Sequence, residues 1–75
     1  MWIRNQRRDK LIDCSHIEYV RESGIEFIVS NDTVLATYPT KDRCLEVLDE
    51  IEKHILNYTV KNTTYVPVVY QMPKE

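Results

Sequence analysis

The chain has 75 residues and a formal net charge of −2, with one glycine, three prolines and two cysteines. That length fits one small domain, which buries a modest share of its surface and gains from association. The composition excludes a transmembrane run of ordinary length, a glycine-rich phosphate loop and any disulfide framework beyond a single bridge. The first ten residues contain Trp2 and Ile3 but no apolar core run, so no leader peptide is expected. Cys14 and Cys44 read as small buried hydrophobes of a reducing compartment, and the expected location is the cytoplasm.

In chain order, Trp2 to Asn5 is a short strand candidate and Arg7 to Lys10 a polar turn. Leu11 to Val20 reads as a second strand. Its apolar phase is irregular near Cys14 and Ser15, which suggests a bulge. Glu22-Ser23-Gly24 is a turn, with the only glycine available for a positive φ. Ile25 to Ser30 alternates with period two, and Asn31-Asp32 suits a tight hairpin. Thr33 to Tyr38 sets Val34, Ala36 and Tyr38 on one face against Thr33, Leu35 and Thr37.

Thr40 to Leu56 is the segment with helical periodicity. At about 100° per residue, Cys44, Leu48, Ile51 and Ile55 share a stripe. Val47 and His54 flank it on one side, Leu45 and Leu56 on the other. Pro39 disfavours helix at Tyr38, and Thr40 is a good N-cap. Asn57 is the expected stop. Tyr65 to Met72 is the expected last strand, and Pro67 makes it an edge strand or a broken one. The expected fold is α+β: one domain over residues 1–75, a small antiparallel sheet in the order β-β-β-β-α-β packed on a single amphipathic helix.

The opening Met1-Trp2-Ile3-Arg4-Asn5-Gln6, the block from Tyr38 through Thr40-Lys41, Arg43 and Leu45 to Ile51, and the closing Tyr70-Gln71-Met72-Pro73 resemble a family of short proteins carried by phages and mobile elements of Firmicutes. The resemblance implies a context, a phage accessory protein in the cytoplasm of the host cell. Such proteins often counter host defence, by blocking a defence protein or by sequestering a signalling nucleotide. No residue role is carried over by it.

The catalytic readings are weak. Cys14, His16, Cys44 and His54 lack the spacing of a zinc site, and two core cysteines with two incidental histidines account for them more simply. A cysteine–histidine nucleophile pair needs an exposed thiol, and Cys44 lies on the apolar face. Glu46, Asp49, Glu50 and Glu52 read as a solvated helix face. No enzyme activity, metal or cofactor is expected.

The better lead is charge distribution. Residues 1–12 set Arg4, Arg7, Arg8 and Lys10 against Asp9, whereas the remaining residues carry six basic and eleven acidic side chains. Trp2 and Arg4 alternate around Ile3 and share a strand face. An aromatic ring beside guanidinium groups can stack a base and grip a phosphate. The simpler reading has Trp2 packing on the sheet and the cations keeping a turn soluble.

The expected function is therefore a non-enzymatic binding protein that sequesters a small anionic ligand such as a signalling nucleotide. Arg4, Arg7, Arg8 and Lys10 would meet the phosphate, and Trp2 or a tyrosine such as Tyr38 would stack the base. Two alternatives are a protein that masks a host defence protein through its acidic helix face or exposed strand, and a small nucleic-acid-binding regulator, which the acidic remainder of the chain disfavours. A homo-oligomer is expected, and no membrane association.

Overall fold

Asn5 organises the first turn of the chain. Its side-chain Nδ2 donates to Asp9 Oδ1 at 2.8 Å, and its Oδ1 accepts from the Lys10 amide at 3.0 Å. Its carbonyl accepts from the Arg8 amide at 3.0 Å, and its own amide donates to the Lys10 carbonyl at 3.1 Å. Four bonds on one residue that is 4% exposed hold the turn, with Arg8 in the left-handed region at φ 65°. The turn joins strands β1 (Trp2–Arg4) and β2 (Leu11–Asp13), which pair antiparallel. These coordinates are a computed structural model that describes residues 1–60 and 69–75, with side chains described for residues 1–56 and 69–75.

The long second strand expected from Leu11 to Val20 is two strands, β2 and β3 (Glu18–Glu22), in different sheets. The apolar phase explains the break. Ile12 and Cys14 point inward, but the next inward residues are Ile17 and Tyr19, an odd step that no continuous strand can make. Ser15 and His16 absorb it in the open, and the Cys14 amide ends the first ladder by donating to the Met1 carbonyl at 2.8 Å.

β3 and β4 (Ile25–Ser30) form a hairpin closed by Ser23 at φ 52° and Gly24 at φ 78°, the left-handed pair that a two-residue turn of this hand needs. Asn31 at φ 55° opens the next hairpin into β5 (Thr33–Tyr38). The pairing of β4 with β5 slips between Ile28 and Val29: Ile28 faces Ala36 and Val29 faces Val34, so Leu35 is an extra residue. This bulge overturns the expected alternation. Leu35 is 1% exposed and its neighbour Val34 47% exposed.

Helix α1 (Lys41–Val60) begins as expected, with Thr40 Oγ1 accepting from the Arg43 amide at 3.1 Å. It passes the expected stop at Asn57 and runs through Val60. Thr59 and Val60 cost a helix only a few tenths of a kcal/mol each, too little to end it. Cys44, Val47 and Ile51 are buried and Leu48 is half-buried, but Leu45, Ile55 and Leu56 at the sides and far end of the expected stripe are exposed. Among the described residues, no helix is long and apolar enough to cross a membrane.

β6 (Val69–Gln71) returns to pair parallel with β1. Tyr65 to Val68, including Pro67, lie outside the described residues, as do the side chains of Asn57, Tyr58, Thr59 and Val60. The protein is α+β, with two three-stranded sheets, β2-β1-β6 and β3-β4-β5, and the helix lying against the second. A single core joins all three layers: Ile3, Ile28, Leu35, Cys44, Val47 and Met72 are its fully buried members.

The sheets are tied where Gln6 docks on the outer edge of β5. Its amide donates to the Leu35 carbonyl at 2.9 Å, an oxygen that the bulge turns out of the ladder. Its side chain receives the Thr37 amide at 3.0 Å and donates to the Thr37 carbonyl at 2.9 Å and the Lys74 carbonyl at 3.0 Å. The side-chain amide so substitutes for a neighbouring strand along an edge that carries no charged residue of its own. Gln6→Ala should lose about 1–2 kcal/mol in urea denaturation and increase concentration-dependent association, because it uncovers that edge.

Candidate functional site

The residues expected to bind a ligand are divided by the fold among three places. Trp2 and Arg4 lie on the outer face of the β2-β1-β6 sheet, opposite the buried Ile3. Trp2 is 42% exposed, and the Arg4 guanidinium donates to the Arg8 carbonyl at 3.3 Å, drawing the turn toward that face. Arg7 and Lys10 point instead to a groove of about 470 Å3 between the first turn and the edge of β5. Arg8 sits at the turn apex between them.

Tyr38 joins neither group. It is 5% exposed, its hydroxyl donates to the Pro73 carbonyl at 2.6 Å, and the Arg43 guanidinium lies 5.6 Å from its ring centre. A base has no free face of this ring to stack on. Burial pushes its phenol up to about 12.

Arg43 is the centre of a structural network. It contacts Glu46 and Glu50 at 3.5 and 3.3 Å and donates twice to the Glu75 main-chain oxygen, at 2.8 and 3.1 Å. Glu50 also accepts from the Tyr70 hydroxyl at 3.1 Å. Gln71 donates to the Asn5 carbonyl, and the Met72 amide to the Arg4 carbonyl. The first strand, the helix and the closing segment thus meet in space, and the last residues are held against the other two. Glu46 and Glu50 take part in this network; they are not merely solvated charges.

The groove is built by backbone more than by sequence pattern. Asn5, Gln6, Arg7, Asp9 and Lys10 form one wall, and residues 32–37 form the floor and the other wall. Its volume falls in the range of small-ligand sites. Arg7 and Lys10 are exposed, and no ion pair among the described residues engages either. Asp32, in the β4–β5 turn, stands on the other wall, and Asp9 shares theirs, its carboxyl held below the usual range by the Asn5 hydrogen bond. The contributions of Asp32 and of the β5 edge escaped the sequence reading. Nothing in the spacing of residues 5–10 and 32–37 signals that they meet.

The cysteines and histidines are dispersed. Cys14 is buried with its thiol on the Ile12 carbonyl at 3.5 Å, and burial pushes the Cys44 thiol up, with the nearby Glu26 carboxylate adding to the effect. A raised thiol is a poor nucleophile. His16 is exposed beside Glu18, 3.4 Å away, and His54 packs edge-on against the Tyr70 ring with centroids 5.5 Å apart. Among the described residues, no group of three or more His, Cys, Asp or Glu side chains is placed to hold a metal ion.

These features define a small α+β domain with a charged groove beside its first turn. A scan against protein-family models matches nothing, and searches of curated proteins and of solved structures return no significant match.

Proposed function

We propose that this chain is a non-enzymatic binding protein whose ligand is a small nucleotide held in the groove between the first turn and the β5 edge. The observation that supports this most is the charge arrangement of a groove of about 470 Å3: Arg7, Lys10 and Asp9 line one wall and Asp32 the other. A balanced rim suits a ligand that carries both an anion and hydrogen-bond donors. The cations meet a phosphate, and Asp32 accepts from ribose hydroxyls or a base amino group. A long polyanion gains less, because the two carboxylates repel its backbone and most of the remaining chain is acidic. With the phage context that the resemblance implies, the role is sequestration of a host signalling nucleotide in the cytoplasm.

The alternative, a protein that masks a host protein, draws on a different feature. Ile17, Leu48, Ile51 and Leu56 line a second depression beside the helix, bordered by Asp49 and Glu52. An apolar floor with an acidic border fits a basic amphipathic helix.

Thermal unfolding against a panel of cyclic and linear mono- and dinucleotides separates the two. A sequestered nucleotide at about 100 times its Kd adds roughly 2.7 kcal/mol, which raises Tm by about 10 °C or more for a domain of this size. The paired change Arg7→Ala and Lys10→Ala should abolish the rise and leave the unliganded Tm within a few degrees. No rise with any nucleotide refutes the proposal. Stoichiometric co-purification of one host protein, insensitive to that double change, favours masking.

A further inference from the structure

The outer face of the β2-β1-β6 sheet stands apart from the groove, since none of its residues lines it. Strand pairing puts six side chains there. Trp2 lies between Asp13 and Val69, and Arg4 between Leu11 and Gln71. Trp2, Leu11 and Val69 are 42%, 48% and 38% exposed, although the strands are only three residues long. The opposite face of the same sheet is already committed to the core through Ile3, with Ile12 and Tyr70 packed beside it. The described residues leave this outer face, half apolar and half polar, uncovered. Tryptophan and arginine side by side are the residue types that dominate binding energy at protein interfaces.

We infer that this face is the interface of a two-fold symmetric dimer, in which the sheets of two copies pack face to face with their strands crossing at about 70°. The argument is the placement of the two charges. Neighbouring strands are about 4.8 Å apart, and same-face residues along a strand about 6.8 Å. Trp2, Arg4, Leu11 and Asp13 therefore mark the corners of a rectangle of about 4.8 by 6.8 Å, with Trp2 and Leu11 at the ends of one diagonal and Arg4 and Asp13 at the ends of the other.

A two-fold axis lying in the interface returns any residue on the axis to its own copy. An axis along β1 puts Arg4 on Arg4. An axis along the Trp2–Asp13 row puts Asp13 on Asp13. An axis on the Arg4–Asp13 diagonal does both. The Trp2–Leu11 diagonal is the arrangement of these four that sets unlike charges together. It stacks Trp2 and Leu11 against their own copies and lays Arg4 of each chain over Asp13 of the other.

Because that axis runs at about 35° to the strands, the two sheets cross at about 70°, nearer the orthogonal than the aligned packing of sheets. Asp13 is 68% exposed, with the Met1 amine at 3.5 Å as its neighbour, so its carboxylate has lone pairs left for the arginine. Association also removes exposed apolar surface that a 75-residue chain has little means to bury alone.

Sedimentation equilibrium of the full chain across a concentration series tests this. The expected result is a species of twice the 9.0 kDa chain mass, with Trp2 emission moving to shorter wavelength as the dimer fills. Arg4→Asp alone and Asp13→Arg alone each set like charges together and should weaken the dimer by about tenfold or more. The double variant Arg4→Asp with Asp13→Arg should recover to within about threefold of the original, because the swap restores both pairs. Trp2→Ala should give a folded monomer, and circular dichroism checks the fold of every variant.

A chain that stays monomeric up to about 100 µM overturns the inference. So does a double variant as weak as the singles, and so does a dimer that Trp2→Ala leaves intact. None of these results bears on the nucleotide reading, whose test turns on Arg7 and Lys10.

Discussion

Leu35→Ala should lower the free energy of unfolding by about 2–5 kcal/mol, whereas Val34→Ala beside it should change it by less than about 0.5 kcal/mol. The contrast comes from one inserted residue. With the ladder slipping between Ile28 and Val29, Leu35 has no partner across the hairpin, and the strand rolls its side chain into the core while Val34 rolls out. Leu35 then packs among Ile28, Val47 and Met72, members of the cluster that joins both sheets to the helix. Truncating it removes its own burial and leaves a cavity that a close-packed interior fills poorly. A domain of this length is stable by about 4–11 kcal/mol in all, so Leu35→Ala removes a large part of that margin. Urea denaturation at neutral pH, with the slope unchanged between variants, is the measurement. A larger loss for Val34→Ala than for Leu35→Ala would mean that β5 keeps a regular alternation and that the bulge is absent.

The second large effect is alkaline. The Tyr38 phenol is pushed from 10.0 to about 12 by burial, with Arg43 pulling slightly the other way. The folded chain thus holds this proton more tightly than the unfolded chain does. Its contribution is complete below pH 10 and drains away as the pH climbs toward about 12, a loss on the order of 2–3 kcal/mol. Tyr70 is raised as well, by burial and then by the Glu50 carboxylate, and works in the same direction. Stability measured by denaturation should therefore fall steeply above about pH 10.

Tyr38→Phe gives the control. It removes the hydroxyl that donates to the Pro73 carbonyl, so it should cost about 1–2 kcal/mol near pH 8. Its profile should then be flatter than that of the original chain above pH 10, and the gap between the two should close by about pH 12. Two parallel curves would show that the Tyr38 phenol titrates alike in the folded and unfolded chain.

Much of the architecture was legible because it depends on local chemistry. Thr40 caps the helix because its hydroxyl reaches the Arg43 amide within one turn. Ser23-Gly24 and Asn31-Asp32 turn the chain because Gly24, Ser23 and Asn31 accept positive φ there. The site was less legible. Trp2 and Arg4 do share a face, as alternation requires, but Arg7 and Lys10 leave it, because Asn5 curls the turn so that its two ends point to different sides. Tyr38 looked like a stacking residue only while its surroundings were unknown. Pro73 comes to it from 35 positions away, and Arg43 folds back onto its ring from the first turn of the helix.

The sequence by itself determined the class of fold, the helix start and the turns, since each depends on residues within a few positions of one another. The tertiary structure alone decided three things. It split the expected long strand between two sheets, because the inward phase breaks between Cys14 and Ile17. It brought β6 back beside β1 in parallel, a pairing between residues more than sixty positions apart that no local pattern encodes. And it chose which of Val34 and Leu35 to bury. Either could serve a strand, and only the competition for space around Ile28 distinguishes them.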